Sequence, residues 1–216
     1  MENGSNENKI EDFLRHRNTK DLFAKLDYSL KDGVHIQQAG NQIELYNYIV
    51  NNEESLKLYY KDLFKINLSS GGEIPRKYYF LDFESPNDRG KITSDNRHFL
   101  KNEYVIIGLI IYEVLFIHKE IELNSISKLK EKIRIDYDDI KPGLYRLIAK
   151  SNNLLPSNLN DDAIDRTIKN ALNEFSKIGW FTISNDEFEP LPAFDRLINF
   201  YEKEIQDIDE ILKELK

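Results

Sequence analysis

Residues 163–190, AIDRTIKNALNEFSKIGWFTISNDEFEP, decide the fold. Ile164, Ile168, Ala171, Leu172 and Phe175 recur at three-to-four-residue spacing, which predicts a helix over Ala163–Lys177 with one apolar stripe. Its opposite face offers Arg166, Lys169, Asn170, Asn173 and Lys177. Asn160 or Asp161 can cap the helix, and Gly179 ends it. The period then drops to two. Trp180 to Ser184 alternates as a strand, Asn185-Asp186 is a tight-turn signal, and Glu187 to Pro190 returns. A helix running directly into a hairpin is the closing half of a winged helix, in which that helix is the usual reader of nucleic acid.

The same order stands upstream. Asn18 or Thr19 can cap a helix to about Lys31, with Leu22, Phe23, Leu26 and Leu30 on one side, and Asp32-Gly33 ends it. A second helix is expected over about Asn41–Val50, carrying Ile43, Leu45, Tyr46 and Ile49. A third begins near Glu53, setting Leu56, Tyr59, Tyr60, Leu63 and Phe64 inward while Lys57, Lys61 and Lys65 project from the other side. Ile66-Asn67-Leu68 then changes the period, Ser69-Ser70-Gly71-Gly72 has turn chemistry, and Lys77–Phe83 is an aromatic strand. Within it, Tyr78, Phe80 and Asp82 should face one way and Tyr79, Leu81 and Phe83 the other.

After the turn-rich Ser85-Pro86-Asn87-Asp88-Arg89-Gly90, an apolar helix over Glu103–His118 opens a second unit. Glu120–Leu123 can be a short strand, a small helix can run from Asn124 or Ser125 through Ile133, and Pro142 suits the first turn of a helix to about Lys150. Leu63-Phe64-Lys65-Ile66 and Phe175-Ser176-Lys177-Ile178 form a weak echo, 112 residues apart, at the two helix-to-hairpin junctions. The last stretch, Pro192–Lys216, repeats Phe194, Leu197, Ile198, Tyr201, Ile205, Ile208, Ile211, Leu212 and Leu215 as one apolar stripe on an acidic helix. The expected architecture is α+β, mainly α: a flexible tail over 1–18, winged-helix domains over 19–100 and 101–191, and a C-terminal amphipathic helix over 192–216.

Composition narrows the function. The 216 residues are 40% hydrophobic and 31% charged, a globular balance. With no Cys, a disulfide framework and a thiolate zinc site are both excluded. Met1 to Lys9 is polar and carries acids, unlike a secretory signal. The longest apolar run, Tyr104–Ile117, is broken by Glu113 and falls short of the ~20 residues a bilayer needs. Net charge is −8, but Asp186–Lys216 alone holds ten acids and four bases. The remainder is close to neutral, so a local basic face is compatible with the total.

Catalytic signatures are missing from the chain. Ser70-Gly71-Gly72-Glu73 lacks the Gly-Lys-Ser/Thr ending of a phosphate loop, and neither Gly-x-Ser-x-Gly nor His-Glu-x-x-His occurs. Asp136, Asp138 and Asp139 could hold a divalent ion, but acids before Ile140-Lys141-Pro142 equally suit a helix start, where they complement the dipole. His35, beside Gly33 and Ile36, reads as a turn residue with a satisfied hydrogen bond rather than a base. No cofactor is expected. The charged residues of interest are therefore the two reading helices, Arg166, Lys169 and Lys177 in the second and Lys57, Lys61 and Lys65 in the first, where cations would neutralise phosphates. Asn170 and Asn173 alone could contact base edges, which makes any contact nonspecific. Tyr59, Tyr78, Phe194, Tyr201 and Ile205 are candidates for a protein-binding surface, because aromatic and apolar anchors concentrate at interface centres.

Several stretches resemble the MukE and MksE subunits of bacterial condensin-like SMC complexes. Leu26-Asp27 to Leu30, Gly33-Val34-His35-Ile36, Tyr59-Tyr60 and Lys77-Tyr78-Tyr79-Phe80-Leu81 look like the N-terminal half of that family. Val105-Ile106-Ile107-Gly108-Leu109 and Ala171-Leu172 to Ile178-Gly179-Trp180-Phe181 look like its second half. The likeness covers about Leu22–Leu191 and is closer to MksE than to MukE, whose arginine-rich pattern is here Asn-Glu-Phe-Ser-Lys over Asn173–Lys177. The resemblance implies a non-catalytic homodimer that binds the kleisin subunit (MukF- or MksF-like). It further implies work with an SMC-type ATPase (MukB- or MksB-like) and a share in contacts to double-stranded DNA, in chromosome organisation and segregation or defence against plasmid DNA. It places the protein in the cytoplasm, at the nucleoid, without a membrane partner. The competing expectation is a stand-alone winged-helix transcription regulator, which normally concentrates more positive charge on its DNA face.

Overall fold

The structure is a computed structural model that describes residues 10–82 and 100–200. The described residues form an α+β, mainly α fold with small antiparallel sheets. The chain divides into two compact units, Met1–His98 and Phe99–Lys216.

The first unit contains α1 (Thr19–Lys31), β1 (Ile36–Gln37), α2 (Ile43–Asn51), α3 (Glu53–Tyr59), β2 (Asn67–Gly71) and β3 (Tyr78–Asp82). Its three strands are antiparallel in the order β1-β3-β2, with Ile36 opposite Tyr79 and Leu68 opposite Leu81. Leu26 and Leu30 of α1, Leu45 and Ile49 of α2, Leu56 of α3, Tyr60, and Tyr79 of β3 meet in one buried core. β1 has only two residues, too few for the alternation that marks a strand in a sequence.

Several expectations need correction in this unit. The stretch before Thr19 is not all tail: Asp12–Arg15 forms a 3-10 turn that buries Phe13 against Phe23 at 4.7 Å and Tyr59 at 5.3 Å. The Thr19 and Tyr48 hydroxyls donate to the Phe13 carbonyl and hold the turn in place. Helix α3 continues as a π turn over Tyr60–Phe64. That wider turn shifts the side-chain register, so Tyr60 is fully buried while Leu63, expected inward, is 50% exposed. Ser69–Gly71 lie within β2 rather than in the hairpin turn. The turn follows them, and Gly72 there has φ 66, with no room for a side chain against the Arg76 carbonyl. Tyr78 and Tyr79 are both buried despite pointing to opposite faces. Tyr79 enters the core, and Tyr78 lies across Gly71, whose missing Cβ leaves space for the ring. Phe83 lies outside the described residues.

The second unit contains α4 (Asn102–Tyr112), α5 (Ile126–Asp136), α6 (Lys141–Asn152), α7 (Asp161–Lys177), β4 (Phe181–Ser184), β5 (Glu187–Pro190) and α8 (Asp195–Phe200). Helix α4 is buried along most of its length and continues as a π turn over Glu113–Ile117. Gly108 lets it approach Phe175 of α7, since a Cβ there would stand 3.2 Å from that ring. Gly179 adopts φ 79 and stops α7, after which Trp180, Phe181 and Phe194 close around Phe175. The tightest ring pair in this cluster is Phe181 with Phe194, at 4.6 Å. β4 and β5 pair from Phe181–Pro190 to Ser184–Glu187, leaving Asn185-Asp186 as the turn, with Asn185 at φ 56.

Glu120–Leu123 is not a strand, and only the single bridge Ser125–Glu187 remains of the expected pairing. Side-chain bonds replace it: Asp186 accepts from the Ser125 and Ser127 hydroxyls, and Lys132 holds Glu120 at 2.8 Å. The described part of the C-terminal helix is a 3-10 turn over Pro192–Phe194 and α8. Its Phe194 and Leu197 are buried in this unit's own core. Tyr201, Ile205 and the later apolar positions lie outside the described residues.

Truncating the ring at the centre of this cluster has a readable cost. Phe175→Ala should destabilise the second unit by about 3–5 kcal/mol. Urea unfolding followed by the fluorescence of Trp180, the single tryptophan, should show a lower midpoint.

Candidate macromolecule-binding site

Helix α7 presents the strongest candidate surface. Burial of Ala163, Ile164, Ile168, Ala171, Leu172 and Phe175 forces the rest of the helix outward, so Arg166, Lys169, Asn170, Asn173 and Lys177 are all exposed, as their spacing predicts. Their electrostatic freedom differs. The Lys177 ammonium pairs with Glu174 at 2.6 Å, and Arg166 donates through Nε to the Asp162 carbonyl. Among the described residues no ion pair engages Lys169.

The first turn of α7 carries Asp161 and Asp162. Carboxylates there stabilise the helix through its dipole but would repel a phosphate approaching the N-terminus. The Tyr145 hydroxyl donates to Asp161 at 2.8 Å, and with Lys141 at 3.4 Å it holds that carboxyl below the usual range. Positive charge on this face therefore belongs to its later turns.

The first unit's lysines are arranged differently from expectation. Lys57 is half-buried and reaches Glu53 at 2.8 Å and Glu54 at 3.6 Å. Glu53 also accepts from Tyr79 at 2.7 Å and from Lys77 at 3.2 Å. Desolvation opposes ionisation of Glu53, but the hydrogen bonds from Lys57, Tyr79 and Lys77 outweigh it and pull its pKa from 4.5 to about 2. The Glu53 hydrogen bond is in turn the main reason the Lys57 pKa is raised. Lys57 is thus committed to joining α3 with β3. Lys61 and Lys65 are exposed, and Lys65 closes the π turn at φ 58.

A denser basic stretch was missed by reading one helix at a time. Ile126–Asn152 holds seven Lys or Arg and four Asp or Glu, a signal that a windowed charge count would have found. Much of it is spent on internal ties: Lys132 with Asp136 at 2.6 Å, Arg134 with Asp165 at 3.8 Å, and Lys141 with Asp138 at 3.0 Å. The same ties draw Asp136 and Asp138 to separate lysines. Among the described residues no group of three His, Asp or Glu side chains is placed to hold a metal ion. His35 is buried beside the Phe80 and Tyr78 rings, at 5.6 and 6.0 Å.

Of the protein-binding candidates, Tyr78 and Phe194 are each only 1% exposed. Burial removes both as direct contacts, because the Tyr78 ring is covered beside Gly71, His35 and Phe80 and the Phe194 ring lies in the aromatic cluster of its own unit. Tyr59 is half-buried and packs between Phe13, Phe23 and Phe64.

These features define an α+β, mainly α protein whose candidate site is an exposed helix surface rather than a cleft lined with reactive groups. A family model for condensin complex protein MksE matches residues 21–202, and the chain belongs to that family. It is accordingly a subunit of a condensin-like complex. No curated protein matches the chain. Among the described residues, no helix is long and apolar enough to cross a membrane.

The Glu53 junction predicts a pH signature. Its folded pKa is depressed, so its stabilising contribution is complete above about pH 4.5 and is lost as the pH falls toward 2. Glu53→Gln should destabilise the first unit at neutral pH by about 1–3 kcal/mol. Denaturant titrations should show the gap between parent and variant closing only below about pH 4.5.

Proposed function

We propose that the chain dimerises, binds the kleisin subunit of a condensin-like complex, and contributes a nonspecific contact to double-stranded DNA held by the SMC-type ATPase. The observation that carries this reading is the family match across 21–202 combined with the exposed polar face of α7. The order helix, short strand, two helices and hairpin in the first unit supports a winged-helix domain. In the second unit the bridge at Ser125, the helices after it and the β4–β5 hairpin support a related one, and the division at 98/99 is compatible with domains over 19–100 and 101–191. The DNA contact falls on Arg166, Lys169 and Lys177, with Asn170 and Asn173 beside them and Lys61 and Lys65 contributing from the first unit. Lys57 is the weakest of the basic candidates because Glu53 already neutralises it. Tyr59, Tyr201 and Ile205 remain candidates for protein contact. The setting is cytoplasmic and nucleoid-associated, in chromosome organisation or defence against plasmid DNA.

The alternative of a stand-alone transcription regulator is weaker on electrostatic grounds. The face of α7 has acids at its leading end, and its basic side chains are partly paired. Such a surface suits a subunit whose partners supply much of the DNA affinity.

Two outcomes are expected. Replacing Arg166, Lys169 and Lys177 together with Glu should cut DNA retention by the assembled complex and flatten the slope of log affinity against log salt by about 2–3. Circular dichroism should be unchanged, and full retention would remove this DNA site. Size-exclusion chromatography with light scattering should give a dimer for the chain alone, and co-purification should recover the kleisin; a monomer that recovers no kleisin defeats the reading.

A further inference from the structure

An open groove of about 340 Å³ runs between the end of the α4 π turn and the β4–β5 hairpin. Leu115 is buried along it, and Phe188, also buried, turns its ring toward Phe181 on the other face of the hairpin. Phe116 and Ile121 line it as well, although they are 39% and 75% exposed. Apolar side chains left this wet beside a concavity mark a surface that gains from being covered.

The rim is acidic. In the hairpin register Glu187 pairs with Ser184 and Glu189 with Thr182, so both carboxylates rise from one face of the two strands. Both are exposed and line the groove. Asp186, in the adjoining turn, does not line the groove, because its carboxylate is held by the Ser125 and Ser127 hydroxyls. An apolar floor below a carboxylate rim selects an occupant with apolar side chains between cationic ones.

Charge separates the candidate occupants. Residues 201–216 of this chain carry six acids and three bases, so the chain's own C-terminal segment would meet like charge at the rim. A second copy brings a net −8. The volume is at the small end of the ~300–1,000 Å³ typical of ligand pockets, which suits a few side chains of an extended segment rather than the face of a folded domain. We infer that the groove takes a short linear segment of a partner polypeptide, apolar at its centre and flanked by Lys or Arg. The inference rests on the reading of the chain as a subunit of a larger complex.

Photo-crosslinking tests it inside that complex. With Ile121 replaced by p-benzoylphenylalanine and the chain co-expressed with the other subunits, irradiation should join the groove to one stretch of another subunit. Mass spectrometry should identify that stretch as apolar with basic flanks. Glu187→Lys combined with Glu189→Lys should lower the crosslink yield at least fivefold while leaving the Trp180 unfolding midpoint unchanged. A crosslink to residues 201–216, to a second copy, or to an acidic segment overturns the inference. So does an assembled complex that yields no crosslink, or a yield unaffected by the charge reversal. A parent chain that fails to co-purify with the other subunits overturns the subunit reading, and the groove's assignment falls with it.

Discussion

The second unit depends on Phe175 meeting Phe181, Trp180 and Phe194 at ring separations of about 6 Å. This cluster lies where helix α7 gives way to the hairpin, and it determines which side of the helix turns inward. Once Phe175 is buried, helical geometry obliges Arg166, Lys169, Asn170 and Asn173 to face solvent. The exposed surface is thus a consequence of the hydrophobic one. Gly108 completes the arrangement by letting α4 approach the ring from behind, and Leu197 of α8 covers the same spot.

The first unit solves the equivalent junction with a different balance of forces. There Tyr79 enters the core and directs its hydroxyl to Glu53 at the start of α3, with Lys57 and Lys77 on the same carboxylate. Lys77 also lies over the Tyr79 ring at 4.6 Å. A charged network thus does for α3 and β3 what stacked rings do for α7 and β4. One result is that the two helices preceding the hairpins are not electrostatic equivalents. Both helices open with acids, but Glu53 draws in Lys57 of its own helix, whereas Asp161 is paired with Lys141 of α6.

What could be read from the chain followed the strength of its periodicities. The long stripe of α7, the glycine after it and the Asn185-Asp186 turn are local features, and the structure reproduces them. The exposure of the α7 polar side chains was legible for the same reason. Tertiary events were not. A two-residue strand at Ile36–Gln37 is too short for any period, and the π turn at Tyr60–Phe64 displaces Leu63 without a residue type that announces it. Phe13, a single aromatic among polar neighbours, carries no repeat, yet it finds Phe23 and Tyr59. The Glu53–Lys57 pair was visible as an i,i+4 spacing, but the arrival of Lys77 and Tyr79 at the same carboxylate depends on strand register. Phe194 looked like part of a stripe in need of a partner, and that partner is its own unit's aromatic cluster.

The Asp186 side chain fastens the tip of the second hairpin to the start of α5, through both serine hydroxyls and the Ser127 backbone amide. A two-residue turn at the end of a short ribbon would otherwise sample many orientations. Tethered in this way, it keeps its shape before anything touches it. A macromolecule settling on its outer surface would meet little further ordering there, and so would lose less conformational entropy on association than with a loose finger.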